Sequence, residues 1–126
     1  VLPECPPGKR LVTSTDTLVE NVHFSPDVTA KSLGHKALAV NLSDLAAMGA
    51  LPYCVLLSMT IPSVNADWLQ QFSDGFWSLA NRYSVLLVGG DMTRGPLSIT
   101  VTAMGLIERT PTIKDPNTMS KKEETK

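Results

Sequence analysis

The sequence predicts an α/β (α+β) domain of order βαβαββ, with its helices stacked on one sheet. Three observations carry this expectation. Apolar residues recur at steps of three and four in two segments, residues 29–48 and 65–83, which is the period of a helix with one buried face. Runs of strand length, rich in Val, Ile, Thr and Leu, precede, separate and follow them. Each helical segment also lies between two such runs, the alternation that layers helices on a sheet.

Taken in order, residues 1–9 form a Pro/Gly-rich lead-in, and residues 9–22 read as an extended segment interrupted by Asp16. Phe24-Ser25-Pro26-Asp27 has the composition of a turn. The first helix places Leu33, Ala37, Val40, Leu45 and Met48 on one face, and Gly49 supplies its stop. Pro52 opens an apolar strand over 53–61, closed by Pro62. Asn65 is the expected N-cap of the second helix, with Asp67 in its first turn. The apolar side of that helix runs through Leu69, Phe72, Phe76, Leu79, Ala80 and Tyr83. Residues 85–88 read as a short buried strand leading into Gly89-Gly90-Asp91. A turn at Arg94-Gly95-Pro96 then introduces a partly alternating strand over 97–107. Residues 108–126 are polar and carry few large apolar side chains, so a flexible tail is expected there.

Composition narrows the function. At 126 residues the chain suits one domain able to bury about two-thirds of its surface. A net charge of −1 argues against a dedicated nucleic-acid binder, which would present a basic face. No apolar run approaches the roughly 18 residues of a membrane-spanning helix, and no charged-then-apolar leader opens the sequence. The expectation is a soluble, cytoplasmic protein with neither membrane nor nucleic-acid partner. Cys5 and Cys54 show no Cys-x-x-Cys spacing, so both are expected to be unpaired.

Three aspartates stand out by their neighbours. Asp16 interrupts a strand with a carboxylate amid Thr13, Ser14, Thr15 and Thr17, and aspartate is depleted in strands. Asp44 lies on the first helix, where it either serves a site or is simply solvated. Asp91 follows two glycines, a pattern that suits either a turn or close approach to a ligand. Two carboxylates about 5 Å apart would repel by roughly 3 kcal/mol at an effective dielectric of 20. A hard divalent cation between them removes that cost, and Mg²⁺ favours a few carboxylates completed by water and phosphate oxygens. His23 reads as a packing histidine or a ligand, and Arg94 as an exposed turn residue or a phosphate contact. The residues alone therefore point to a site for an anion and a metal. No P-loop, dinucleotide fingerprint or Ser/His/Asp triad is present.

Three long blocks resemble bacterial thiamine-monophosphate kinases. They are Ser14-Thr15-Asp16-Thr17-Leu18-Val19-Glu20-Asn21-Val22-His23-Phe24, the stretch from Leu33-Gly34-His35-Lys36 through Asn41-Leu42-Ser43-Asp44 to Ala50, and Leu87-Val88-Gly89-Gly90-Asp91-Met92-Thr93-Arg94-Gly95-Pro96. The similarity spans residues 11–106 in the family's order. It implies the N-terminal domain of the aminoimidazole-ribonucleotide synthetase-like fold over residues 1–107, a ferredoxin-like sheet with helices on one face. It further implies ATP-dependent phosphorylation of thiamine monophosphate to thiamine diphosphate with Mg²⁺. Thr15, Asp16, Asp44 and Asp91 would hold metal, Gly90 and Asp91 would meet the nucleotide, and His23 the thiamine substrate. A homodimer through the sheet is implied as well. The family's Gly-Asp-Asp-Ala-type opening and its larger C-terminal domain are not found in these residues. The expectation is therefore part of a kinase, weakly active or inactive alone. The alternatives are a non-catalytic dimerisation domain or a related synthetase of the same superfamily.

Overall fold

The computed structural model describes residues 2–109, and what was expected of residues 110–126 lies outside them. Six elements follow in order: β1 (Lys9–Val19), α1 (Ala30–Ala47), β2 (Leu51–Ile61), α2 (Ala66–Arg82), β3 (Leu86–Arg94) and β4 (Ser98–Glu108). The strands form one mixed sheet in the order β1-β4-β2-β3. β4 is antiparallel to both β1 and β2, whereas β2 and β3 run parallel. β1, α1 and β2 thus make a split βαβ unit with β4 inserted between its strands, the device shared with ferredoxin-like sheets.

Local chemistry sets the helix ends, at Gly49 and Asn65 as expected and at Thr29 by a cap the sequence reading did not name. The Thr29 hydroxyl accepts from Ser32 N–H at 3.1 Å, and Asn65 Oδ1 accepts from Trp68 N–H at 3.0 Å. Each occupies one of the orphan donors of a first turn. Gly49 takes a φ of 73°, which ends α1 at little steric cost. The buried face of α1 is Ala30, Leu33, Gly34, Ala37, Leu38, Asn41, Leu42 and Leu45. Val40 is only half-buried and Met48 is exposed, so the expected stripe was rotated by one position at those two residues. On α2, Phe72, Phe76, Leu79 and Ala80 are buried as expected, while Tyr83 stands exposed at the C-cap.

The two helices touch backbone to backbone. A Cβ at Gly34 would lie 2.1 Å from the carbonyl oxygen of Phe72, and one at Gly75 would lie 1.9 Å from that of Lys31. These reciprocal glycines let α1 and α2 cross closely. Ile99, Val101 and Ala103 of β4, all at most 1% exposed, form the floor beneath α1.

Three strand limits differ from the sequence reading. β1 stops at Val19, because Asn21 adopts a φ of 68° and residues 20–24 curl into a turn. β2 begins at Leu51, with Pro52 tolerated at an irregularity in its pairing with β4. β3 is longer than the expected 85–88 and is not buried. It is an edge strand with Leu86 and Leu87 at 51% and 37% exposure. The expected tail starts on Glu108, which is still strand and forms an ion pair with Lys9. Both cysteines are free, Cys5 exposed and Cys54 buried. No helix is long and apolar enough to cross a membrane among the described residues.

Candidate functional site

Strand alternation distributes the candidate residues over two faces. On β1, Val12, Ser14, Asp16 and Leu18 turn towards the helices, as shown by their pairing with Gly105, Ala103, Val101 and Ile99, all buried. Thr13, Thr15 and Thr17 point to the opposite, open face. There the Thr15 and Thr102 hydroxyls are 3.2 Å apart and those of Thr17 and Thr100 are 2.9 Å apart. The hydroxyl of Thr15 therefore does not accompany the carboxylate of Asp16, although the two are neighbours in sequence.

Asp16 instead meets Asp44, presented by α1. The hydrogen bond between the two carboxyls raises the pKa of Asp16 most, followed by burial and then by the negative charge of Asp44. Asp16 Oδ2 is sealed from solvent and has no hydrogen-bond partner. Ser14, two residues back and on the same face, donates its hydroxyl to Asp44 Oδ2 at 3.2 Å. Beneath them Asn41 is fully buried, and with its amide turned to match its surroundings Nδ2 donates to Ser14 O and Val101 O, both at 3.2 Å. Ser14 and Asn41 were not singled out by sequence reasoning. Period-two alternation from Asp16 was the signal that selects Ser14, and Asn41 sits one helical turn before Leu45 on the buried stripe.

Asp91 is elsewhere. It pairs in register with Ser58, and Ser58 with Thr100 and Thr100 with Thr17, so these four side chains form one row across the open face. The Ser58 hydroxyl bonds Asp91 Oδ1. With β4 and β2 between, Asp91 lies about 14 Å of sheet from β1. Within one chain the structure brings Asp16 and Asp44 together and leaves Asp91 apart. No group of three or more His, Cys, Asp or Glu residues is arranged for a metal among the described residues.

Gly90 has a structural reason of its own. Its φ is 143°, and a Cβ there would fall 1.8 Å from the Leu57 carbonyl oxygen. Arg94 ends β3 rather than occupying the expected turn. An offset of three within a strand starts the Asp91 and Arg94 side chains from opposite faces. Arg94 is exposed and lines a hollow of about 350 Å³ with Ile61, Val64 and Met92.

His23 lies in the turn after β1 and is exposed. Its Nδ1 accepts from Val19 N–H at 2.9 Å, and its carbonyl accepts from Lys36 Nζ at 2.8 Å. Lys36 and Asp44 are eight residues apart on α1, or about 12 Å along its axis. The helix thus links the turn at one end to the acidic pair at the other.

Comparison with known proteins places this split βαβ sheet with its two helices in one domain family. Residues 1–107 match the family described as AIR synthase related protein, N-terminal domain, and the chain belongs to that family. Among curated relatives, the thiamine-monophosphate kinase of Buchnera aphidicola subsp. Schizaphis graminum is 52% identical over 103 residues, which cover 82% of this chain and 32% of that protein. Among solved structures, the thiamine-monophosphate kinase of Stenotrophomonas maltophilia K279a superposes with a TM-score of 0.80 at 50% identity, over 82% of this chain and 33% of that one. AaThiL complexed with AMPPCP and TMP gives 0.78 at 32% identity, over 82% and 34% of the two chains. This chain spans about a third of the length of the curated relatives it matches.

Proposed function

We propose that the chain is the metal- and nucleotide-binding N-terminal part of an ATP-dependent thiamine-monophosphate kinase of the cytoplasm. The observation that carries this reading is the acidic pair. Asp16 Oδ2 is buried without a partner next to Asp44, an arrangement whose electrostatic cost a divalent cation removes. The likeness to kinases of the same name, one of them solved with AMPPCP and TMP, supports the choice of reaction.

Mg²⁺ fits the donor set, since it takes one or two carboxylates and fills its remaining positions with water and phosphate oxygens. Asp16 and Asp44 would hold it, and when bound it would neutralise charge on the transferring phosphoryl oxygens. The protein residues then have positional work. Ser14 fixes one oxygen of Asp44, Asn41 ties α1 to the β1 and β4 backbones, and His23 meets the thiamine phosphate. Phosphoryl transfer asks little covalent chemistry of a protein, so positioning and charge compensation are the main contributions. The γ-phosphorus exchanges its bond to the bridging oxygen of ADP for one to a phosphate oxygen of thiamine monophosphate.

A homodimer through the open sheet face completes the proposal. That face carries exposed Leu11 and Leu51 at one end and hydroxyl-bearing rows at the other. In this assembly Gly90 and Asp91 gain their part in nucleotide binding, because within one chain they stand apart from the acidic pair. Calorimetric titration of the chain with Mg²⁺ and a non-hydrolysable ATP analogue tests the reading. Binding heat in the wild type, abolished by Asp44→Asn, is expected. Equal heats in both proteins, or none in the wild type, would remove it.

A further inference from the structure

We propose that Lys36 is a positioning residue that orients His23 as a hydrogen-bond donor, through Nε2–H, towards the phosphorylated substrate. The inference rests on the assignment of His23 to that substrate and adds its chemical role and its support. The turn holding His23 is built from its own backbone: His23 N–H donates to Val19 O at 2.8 Å and Asn21 N–H to Phe24 O at 2.7 Å. Phe24 anchors the far side in the core at 9% exposure. Asn21, at a φ of 68°, pays for the sharp reversal with a conformation uncommon outside glycine. Lys36 reaches across from α1 and donates to His23 O at 2.8 Å. Among the described residues the ion pair is Lys9–Glu108, so the Lys36 ammonium is directed to this turn rather than to a carboxylate.

The imidazole orientation follows. Val19 N–H lies on the outer edge of β1, since the next amide, Glu20 N–H, donates inward to Leu97 O. Val19 N–H donates to His23 Nδ1 at 2.9 Å. A ring nitrogen that accepts a hydrogen bond carries no proton, so the neutral ring holds its proton on Nε2. His23 then offers a donor to an acceptor atom of the substrate and has no lone pair free to take a proton from it. Lys36 acts one bond removed: it pins the carbonyl of the same residue whose ring captures the β1 edge.

The chain has two histidines, and the exposed His35 serves as an internal reference. In chain labelled with ¹⁵N-histidine and studied in the neutral form, His23 should show an unprotonated Nδ1 and a protonated Nε2. Val19 amide exchange should be slow in the wild type and in Lys36→Arg. It should be about tenfold faster in Lys36→Met, the loss of one hydrogen bond, with the amides of β4 unchanged. A protonated Nδ1 in the wild type, or Val19 exchange unaltered in Lys36→Met, would overturn the positioning role. Thiamine monophosphate added to the wild type should move the His23 Nε2 resonance. If it does not while Lys36→Met still exposes Val19, the substrate assignment of His23 falls, and with it the donor role towards that substrate, whereas the turn geometry stands.

Discussion

Asp16→Asn exchanges one oxygen of the acidic pair for an amide of nearly the same shape, and two opposite effects on stability are expected from it. Without metal, the carboxyl of Asp16 is held above its ordinary range by Asp44 and by burial. The folded chain therefore keeps this proton at a pH where the unfolded chain, with aspartate near 3.9, has lost it. The unfolded state binds fewer protons in that window, so stability falls as pH rises from about 4 through the folded value. At neutral pH the pair is a net cost. Two bare carboxylates about 5 Å apart in charge centre would repel by roughly 3 kcal/mol at a dielectric of 20. Asp16 is half-buried and Asp44 exposed, which reduces this to the range of solvent-screened pairs, about 1 kcal/mol or less. The amide, which can donate to Asp44, removes that cost and should raise the metal-free melting temperature by about 4–8 °C per kcal/mol. Saturating Mg²⁺ reverses the order. A cation at 100 times its dissociation constant adds about 2.7 kcal/mol to the wild type and little to the variant. Differential scanning calorimetry at pH 7, with and without Mg²⁺, reads both effects. If Asp16→Asn melts below the wild type without metal, or if Mg²⁺ raises both equally, the account of Asp16 and Asp44 as a cation-seeking pair is refuted.

The glycines at the helix crossing give a packing prediction. Gly34→Ala and Gly75→Ala, each placing a methyl near 2 Å from a carbonyl oxygen, should each cost at least about 1–3 kcal/mol in urea unfolding; a cost below 0.5 kcal/mol would mean the helices part easily. Gly90→Ala should destabilise the ligand-free chain as well, because its Cβ meets Leu57 O at 1.8 Å, so a loss of nucleotide binding in that variant would say nothing about direct contact. Asn65→Ala removes the α2 cap and should lower stability by about 1 kcal/mol, measured by the same unfolding curve. In thiol titration Cys5 should react at once. Cys54, buried and with its thiol pKa pushed up by that burial, should react only on unfolding.

The elements legible in the sequence are those fixed by local chemistry. Gly49 and Asn65 mark helix ends by φ preference and hydrogen bonding, which act within four residues, and Phe72, Phe76 and Leu79 follow from helical period alone. The limits that were missed depend on distant partners. Residues 85–88 resemble a buried strand because Val85, Leu86, Leu87 and Val88 are apolar, yet β3 lies at the sheet edge, where Leu86 and Leu87 remain exposed. No local signal reveals that β4, last in the described chain, inserts between β1 and β2. That insertion decides which strands are central and which are edges.

The site was legible as a set of residues but not as a place. Asp16, Asp44 and Asp91 look equivalent in sequence, each a carboxylate in a distinctive setting. Asp16 and Asp44 meet because β1 and α1 pack directly, with Asn41 bonding the strand backbone under them. Asp91 follows a different geometry: it shares the open-face row of Ser58, Thr100 and Thr17, while Asp16 faces the helices. A Mg²⁺–oxygen bond is about 2.1 Å, and roughly 14 Å separates the outer strands of the sheet. One cation therefore cannot bridge Asp91 and the acidic pair of the same chain. Parity makes the same point at short range, since Ser14, not Thr15, is the hydroxyl that serves Asp44. In a strand the functional neighbour of a residue is two positions away, and a hydroxyl adjacent in sequence belongs to the other surface.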